Sequence, residues 1–344
     1  MKAWVLNNIS DIEYKDIEKP QISESEVLVR VRSVGICGSD IPRIYETGAH
    51  NMPLVPGHEF AGEVVEVGDP FHSQWVGKRV GVFPLIPCKE CRQCKQEKYE
   101  LCENYNYLGS RCNGAFAEYV AVPFWNIIEL PESVAFDEAA LLEPSAVAVH
   151  AMRRVDPKPS ESVAVIGLGT IGLLLTAVLI SNGIKNIYVV GNKKFQKERA
   201  MKIGIDEAHY IDAKHENVIE KLKDAGIDAC FECVGKNETI SQSIDSVRHS
   251  GRVCLVGNPY SDITFDKNIY WKILRRQLVV TGSWNSAFTH SEKDDWHYVL
   301  NALSDGRLPI KDFVTHRFEM PELETGLKIM RDKTEDYIKI MMVM

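Results

Sequence analysis

The chain has 344 residues, 45% hydrophobic and 26% charged, which is enough apolar material for two cores and excludes a disordered protein. Lysine and arginine number 40 against 48 acidic residues, a formal charge of −8, so the broad basic face that nucleic-acid binding draws on is missing. No stretch approaches the roughly 18 uncharged apolar residues of a membrane span, and Met1-Lys2-Ala3-Trp4-Val5-Leu6-Asn7-Asn8 turns polar before a secretory segment forms, predicting a cytoplasmic protein with neither membrane nor nucleic acid as partner.

The first segment reads as β-rich. Residues 27–34 alternate as a strand does, residues 63–67 repeat the pattern before Gly68, and short apolar runs broken by Gly and Pro continue to about Leu130. Such a pattern predicts a closed or folded-over sheet. Within it Cys88, Cys91, Cys94 and Cys102 form C-x2-C-x2-C-x7-C, and nine cysteines in all, an odd number, point to metal rather than disulfides in a reducing compartment. Four thiolates in one short loop can enclose a zinc ion and leave no place for substrate. An iron–sulfur cluster and unliganded thiols are the competing readings, but the spacing departs from the ferredoxin runs. No basic helix follows, as a nucleic-acid-binding finger would need. Cys37, His58 and Glu143 are each competent for an open zinc site with three ligands and a water. Taken singly, each reads equally well as an ordinary core residue.

The pattern changes near Asp156-Pro157-Lys158-Pro159-Ser160. Apolar strands at 162–166, 186–190, 229–234, 252–256 and 278–281 then alternate with helical segments, as in parallel βαβ units. Gly167-Leu168-Gly169-Thr170-Ile171-Gly172 follows the first of these strands and opens a helix, the context in which G-x-G-x-x-G binds a dinucleotide pyrophosphate. An acidic residue closing the second strand would bond the ribose 2′-hydroxyl of NAD. That place reads Val190-Gly191-Asn192-Lys193-Lys194, which lacks a carboxylate and predicts NADP(H) in preference to NAD(H). The two lysines would equally open a solvated helix. Beyond about Phe288 the chain is mixed, with a helix predicted from Asp294 to Ser304.

These motifs, with Cys37-Gly38-Ser39-Asp40, Gly57-His58-Glu59 and Glu143-Pro144 in one fixed order, resemble the zinc-dependent medium-chain alcohol dehydrogenases over nearly the whole chain. Glu143-Pro144 is similar to the sorbitol dehydrogenase branch, where the ethanol branch has a cysteine. Residues 37–44, Gly48-Ala49-His50, Leu108-Gly109-Ser110-Arg111 and Gly282-Ser283-Trp284 resemble the galactitol-1-phosphate 5-dehydrogenases. The resemblance implies an α/β protein: a β-rich, GroES-like catalytic domain from residues 1–150 and 288–344, and a Rossmann domain with a doubly wound parallel sheet over 151–287. The active cleft would lie at their junction.

The same resemblance implies two zinc ions, a structural one on the four clustered cysteines and a catalytic one on Cys37, His58 and Glu143. Glu59 would ligate directly, through water, or in exchange with Glu143. Candidate cofactor contacts are Gly167, Gly169, Thr170, Ile171, Gly172, Gly191, Asn192, Lys193, Val234, Val256, Gly257 and Ser283. Gly191-Asn192-Lys193 departs from the NAD-using polyol dehydrogenases and resembles the Gly-Ser-Arg of NADP-dependent relatives. Ser39 stands where the family places a proton-relay hydroxyl, although a serine before Asp40 would equally cap a helix. Glu59 and His50 complete the candidate catalytic set.

Arg43, Tyr45, His50, Arg111 and Trp284 are candidate substrate contacts, the arginines being suited to bidentate phosphate binding. Arg43 would equally bridge a surface helix, Arg111 anchor the metal lobe and Trp284 sit in the core. The implied reaction interconverts a polyol or polyol phosphate, galactitol 1-phosphate-like, and its ketose. An unphosphorylated secondary alcohol (sorbitol, threonine or diol type) and a non-catalytic protein on this fold are the alternatives. The family implies a homodimer or homotetramer, with residues 253–256 and 278–281 as candidate sheet edges.

Overall fold

The computed structural model describes residues 1–344. It divides into two compact units, Met1–Glu143 with Ala287–Gly306 and Ile310–Met344, and Pro144–Ser286 with Arg307–Pro309.

The first unit begins with an antiparallel hairpin, β1 (Lys2–Asn8) and β2 (Asp11–Asp16). The ten-residue β3 (Glu26–Gly35) follows, then the short helix α1 (Asp40–Tyr45) and β4 (Glu59–Val67), which pairs antiparallel with β3 along its length. β5 (Arg79–Val82) continues the sheet beyond β4. A separate two-strand ladder, β6 (Leu85–Ile86) with β7 (Asn106–Tyr107), closes the base of the cysteine loop. β8 (Tyr119–Pro123) lies on the other side of β3, and β9 (Ile127–Glu129) beside β5. Val27, Leu28, Val29, Val31 and Val34 of β3 are all buried, so the strand is covered on both faces and its alternation is only partial. Two helices end the segment, α2 (Phe136–Ala139) and α3 (Leu142–Val155).

The second unit is a six-stranded, wholly parallel sheet. Its elements run β10 (Ser162–Ile166), α4 (Thr170–Ser181), β11 (Asn186–Gly191), α5 (Lys194–Lys202), β12 (Tyr210–Asp212) and α6 (Val218–Asp224). Then come β13 (Ile227–Glu232), α7 (Asn237–Ser246), β14 (Val247–Leu255), α8 (Lys267–Arg275) and β15 (Val279–Gly282). The spatial order β12-β11-β10-β13-β14-β15 reverses direction beside β10, the point where an open α/β sheet binds ligands at its strand carboxyl ends. This unit begins at Pro144, ahead of the Asp156–Ser160 change in pattern, and Arg154 of α3 donates to Gly282 O and Thr281 Oγ1.

Two expectations from sequence need correction. β12 escapes detection because three residues are too few to show an alternation. Residues 253–256 are not an edge: β14 is paired on both sides, and β15 alone forms that border.

The chain then returns to the first unit with α9 (Asp295–Ser304), capped by the Asp294 carboxylate, followed by β16 (Val314–Glu319), α10 (Leu323–Asp332) and β17 (Lys339–Val343). β17 pairs antiparallel with β3, and β16 runs parallel outside it. Trp4 Nε1 donates to Met320 O at 2.7 Å, a further tie between the two ends of the chain. No helix is long and apolar enough to cross a membrane.

Asp245, buried near the end of α7, gathers Lys272 at 2.5 Å, Lys223 at 2.9 Å and Arg276 at 3.4 Å. Burial alone would raise its carboxyl, but the bonds from Lys272 and Lys223 hold it below its ordinary 3.8. A carboxyl depressed on folding stabilises the native state above its unfolded value and ceases to do so as pH falls through the folded value. Asp245→Asn should therefore cost about 2 kcal/mol at pH 7. In thermal melts the gap to wild type should close as the pH drops below 3.8. A gap independent of pH would show that packing, not charge, is what the asparagine disturbs.

Candidate active site and metal centres

The loop between β6 and β7 folds back on itself through left-handed residues at Lys89 and Glu97. It brings the four sulfurs of Cys88, Cys91, Cys94 and Cys102 within 4.8 Å of one another, with Cys88 and Cys94 Sγ 3.9 Å apart and no disulfide formed. A tetrahedral zinc ion with Zn–S bonds of about 2.3 Å places its sulfurs about 3.8 Å apart. Backbone amides already face these sulfurs: Cys88 N donates to Cys102 Sγ at 3.2 Å and Cys91 N to Cys88 Sγ at 3.4 Å. Amide hydrogen bonds from Glu103 and Cys94 pull the Cys91 thiol down to about 6, while burial pushes Cys94 and Cys102 up. The donor set fits zinc in a closed, structural role. The lobe is seated on Trp125, whose ring meets Lys89 Nζ at 4.9 Å and the Tyr99 ring at 4.9 Å.

A second group assembles where β3 ends and β4 begins. Donor atoms of Cys37, His58 and Glu59 lie within 4.8 Å of one another, with His58 and Glu59 buried. Gly35 stands opposite Glu59 in the ladder, and a Cβ there would lie 2.5 Å from Glu59 Oε2, so the glycine leaves that carboxylate its place. Lys339, buried in β17, donates to Glu59 Oε2 at 2.5 Å and to Ile36 O at 3.1 Å. Burial alone would lower this lysine, but the Glu59 charge beside it raises it.

Asp40, fully buried, accepts from Cys37 N at 2.9 Å and from Arg43 at 2.5 Å. It lies 3.5 Å from His58 Nδ1, a buried nitrogen without a hydrogen-bond partner. A carboxylate behind one ring nitrogen is what orients an imidazole whose other nitrogen binds metal. Burial would lower His58, but Asp40 and Cys37 outweigh it and hold the ring well above 6.5.

Glu143 is close by but outside the group of three. Tyr107 donates to its Oε1 at 3.2 Å, and the Tyr107 ring meets His58 edge-on at 5.8 Å. Burial pushes the Glu143 carboxyl up to about 7, with the Glu59 charge adding to it against His58, Lys339 and the Tyr107 bond. A thiol and two carboxylates thus converge on one imidazole, with Glu59 alone neutralised by a lysine. That donor chemistry fits a divalent cation. Lys339, Asp40 and Tyr107 are the residues that sequence reasoning missed. The one sign of Lys339 is a lysine opening an otherwise apolar run, Lys339-Ile340-Met341-Met342-Val343.

The remaining candidates are placed variously. Ser39 occupies the N-cap position of α1, yet its side chain makes no capping bond. Arg43 is engaged by Asp40. Tyr45 packs against the core of the first unit, with the Arg331 guanidinium 4.7 Å from its ring. His50 is exposed, and its neighbour Asn51 donates to Arg111 O at 3.2 Å, which brings those two loops together. The Arg111 guanidinium lies 4.5 Å over Tyr105. Trp284 is 54% exposed, not core.

In the second unit the glycine turn does what its spacing requires. Gly167 takes φ +95°, and a Cβ on Gly172 would stand 1.8 Å from Gly167 O, so helix α4 can approach the turn only with glycine there. Val234 and Gly235 pack between Gly167 and Gly257. Gly191 closes β11, and its Cβ position is 2.8 Å from the hydroxyl of Tyr210, which donates to Lys193 O at 3.4 Å. Burial pushes that phenol up to about 12, so it is a neutral donor. The neighbouring strand-end carboxylate, Asp212, faces Lys214 N and His215. Lys193 occupies the N-cap position of α5, with Nζ 5.3 Å over Phe195. Asn192 N donates to Gln196. Ser283, after β15, has a buried hydroxyl with no partner.

Residues 23–132 match the alcohol dehydrogenase GroES-like domain and residues 170–305 the zinc-binding dehydrogenase family. The galactitol 1-phosphate 5-dehydrogenase of Escherichia coli (strain K12) is 30% identical over 322 residues, 92% of each chain. The sorbitol dehydrogenase of Bacillus subtilis (strain 168) is 29% identical over 351 residues, 99% of this chain and 96% of that one. The crystal structure of galactitol-1-phosphate dehydrogenase from Escherichia coli matches with a TM-score of 0.93 at 27% identity, covering 100% of both chains. A putative zinc-binding dehydrogenase from Sinorhizobium meliloti 1021 bound to NADP and an alcohol dehydrogenase from E. coli CFT073 complexed with NADH each reach 0.91 at 26% identity, covering 100% of this chain and 99% of the other. The chain therefore belongs to the zinc-dependent medium-chain alcohol dehydrogenases, oxidoreductases that act on the CH–OH group of polyols and alcohols with a nicotinamide cofactor.

Proposed function

We propose that the chain is an NADP(H)-preferring zinc dehydrogenase that interconverts a polyol or polyol phosphate, of the galactitol 1-phosphate type, and the corresponding ketose or ketose phosphate. The observation that carries this reading is the convergence of Cys37, His58 and Glu59 within 4.8 Å, two of the three held from behind by Asp40 and Lys339. Residues 1–150 and 288–344 are assigned as the catalytic domain and 151–287 as the coenzyme domain.

Cys37 and His58, with Glu59 or Glu143, would hold one zinc ion, and the four clustered cysteines a second. When bound, the first would supply Lewis acidity that makes a secondary hydroxyl easier to deprotonate or a carbonyl easier to reduce, and the coenzyme domain would hold the nicotinamide that serves as hydride acceptor or donor. Ser39, whose hydroxyl is not spent on capping α1, takes the substrate proton, and exposed His50 is its outlet to water. Lys339 neutralises Glu59 while Tyr107 holds Glu143, so two carboxylates share one cationic site without both standing bare.

The cofactor preference rests on what surrounds Gly191. Asn192 and Lys193 would receive a ribose 2′-phosphate there, with the Tyr210 hydroxyl beside Gly191, while Asp212 is turned to His215. On the substrate side, Arg111 and His50 are the groups left to receive a phosphate. A second reading, an unphosphorylated secondary alcohol, is favoured by the ion pair that occupies Arg43. Val279 and Val280 of the bordering strand β15, with Tyr270, Trp271 and Leu274 of α8, expose an apolar surface suited to pairing two copies as a homodimer or within a homotetramer. Nine free cysteines suit a cytoplasmic setting.

Wild-type enzyme should contain about two zinc ions per chain, and Cys37→Ala about one, with activity down at least a hundredfold or so and the fold retained. Full activity in that variant would remove the zinc mechanism. Oxidation of NADPH should exceed that of NADH by about tenfold in kcat/KM, and Lys193→Glu should shrink the ratio. Assayed with tagatose 6-phosphate and free tagatose, turnover of the phosphate alone supports the polyol phosphate reading. Turnover of free ketoses only takes Arg111 and His50 out of phosphate recognition and supports the second reading.

A further inference from the structure

Glu232, the last residue of β13, is 0% exposed, yet every partner of its carboxylate is an uncharged donor. Oε1 accepts from Val234 N at 2.8 Å, Gly235 N at 2.9 Å and Thr239 Oγ1 at 2.7 Å, and Oε2 accepts from Gly235 N at 3.1 Å. An ionised group is costly to keep in a dry interior unless fixed donors meet it. Here the donors come from the loop after β13 and from the first turn of α7, whose N-terminal dipole favours an anion. With its single proton given to Glu232, Thr239 Oγ1 accepts from Lys236 N at 3.3 Å, so loop and helix start are tied as one piece.

The same residue grips a second loop. Its backbone carbonyl accepts from Val256 N and Gly257 N, both at 2.9 Å. Between the two gripped loops there is no slack. A Cβ on Gly167 would stand 2.3 Å from Val234 Cγ2, and one on Gly257 would stand 2.2 Å from Gly235 N. The Val234-Gly235 segment is therefore wedged between the pyrophosphate-type turn on one side and the β14 end on the other. A small shift of this segment drives Val234 into the glycine turn or opens a gap beside it.

We propose that Glu232, which itself faces neither cofactor nor substrate, is the positioning residue of the dinucleotide site, holding Val234, Gly235 and Gly257 at the height the cofactor needs. The proposal rests on the reading of Val234, Val256 and Gly257 as cofactor contacts. A buried carboxylate serves this purpose because it accepts several donors at once and, being charged, bonds them more strongly than an amide oxygen would. Glu232→Gln keeps the shape, removes the charge and turns an NH2 group toward the Gly235 amide.

The test titrates NADPH and NADH into zinc-loaded wild type, Glu232→Gln and Thr239→Val, following cofactor Kd by fluorescence alongside melting temperature and zinc content. Glu232→Gln should raise the NADPH Kd about tenfold and Thr239→Val about threefold. Zinc content should not change, and kcat at saturating cofactor should stay within about twofold. A lowered melting temperature with an unchanged Kd overturns the proposal and leaves Glu232 a purely structural residue. Should Glu232→Gln fail to fold, Thr239→Val and hydrogen exchange of the wild type decide. The Val234 and Gly235 amides should exchange slowly before any cofactor is added, and exchange at exposed-loop rates overturns the proposal. A wild type that binds neither cofactor overturns the reading of the site itself, whereas normal wild-type binding with an unaltered Kd in both variants overturns the role of Glu232 alone.

Discussion

The buried pair of Glu59 and Lys339 is the constraint on which the first unit turns. The carboxylate of Glu59 at the start of β4 lies beside Cys37 and His58, and uncompensated charge in that position would be strongly destabilising. The lysine that neutralises it comes from β17, the final strand, which reaches the spot only by pairing antiparallel with β3. Lys339 spends a second hydrogen on Ile36 O, next to Cys37, so one ammonium fixes a donor and the backbone of its neighbour. The intervening second unit is an excursion from this sheet, and the chain must return to complete it.

The two metal-type clusters show two ways of supporting ligands. The cysteine lobe is built from consecutive turns, and its supports are the amides of the same turns. All of its chemistry lies within Cys88–Asn104 and depends on nothing remote except a seat on Trp125. The Cys37 group is assembled from two separate stretches, Cys37 and His58-Glu59, and its supports are themselves charged: Asp40 behind His58, and Lys339, from a third stretch, behind Glu59. The first arrangement gives a closed site with uniform donors. The second leaves mixed donors and unequal charges, which suits the open site proposed for it.

Legibility in the sequence follows the same division. The cysteine spacing and the glycine turn are local, and each residue's task can be argued from its immediate neighbours, so both were readable. Parallel strands flanked by helices announced the second unit, though β12 was too short to register, and with it went the Tyr210 hydroxyl beside Gly191. Arg43 illustrates a different failure. As an arginine it suggested phosphate, but Asp40 stands three residues earlier on the same helical turn, and a fully buried carboxylate claims the nearest cation first. Lys339 was beyond reach, since nothing within its own run says which acid it will meet across 280 positions of sequence.

The late arrival of Lys339 also orders the history of each molecule. During synthesis the cysteine lobe has all four of its sulfurs as soon as residue 102 has left the ribosome, while most of the chain is still unmade. The group around Cys37 has its thiol and imidazole even earlier, but Glu59 acquires its counter-charge only when β17 has been made and pairs with β3. A chain in which β17 has not yet paired with β3 can therefore hold the cysteine lobe complete while the Cys37 group still lacks the counter-charge of Glu59.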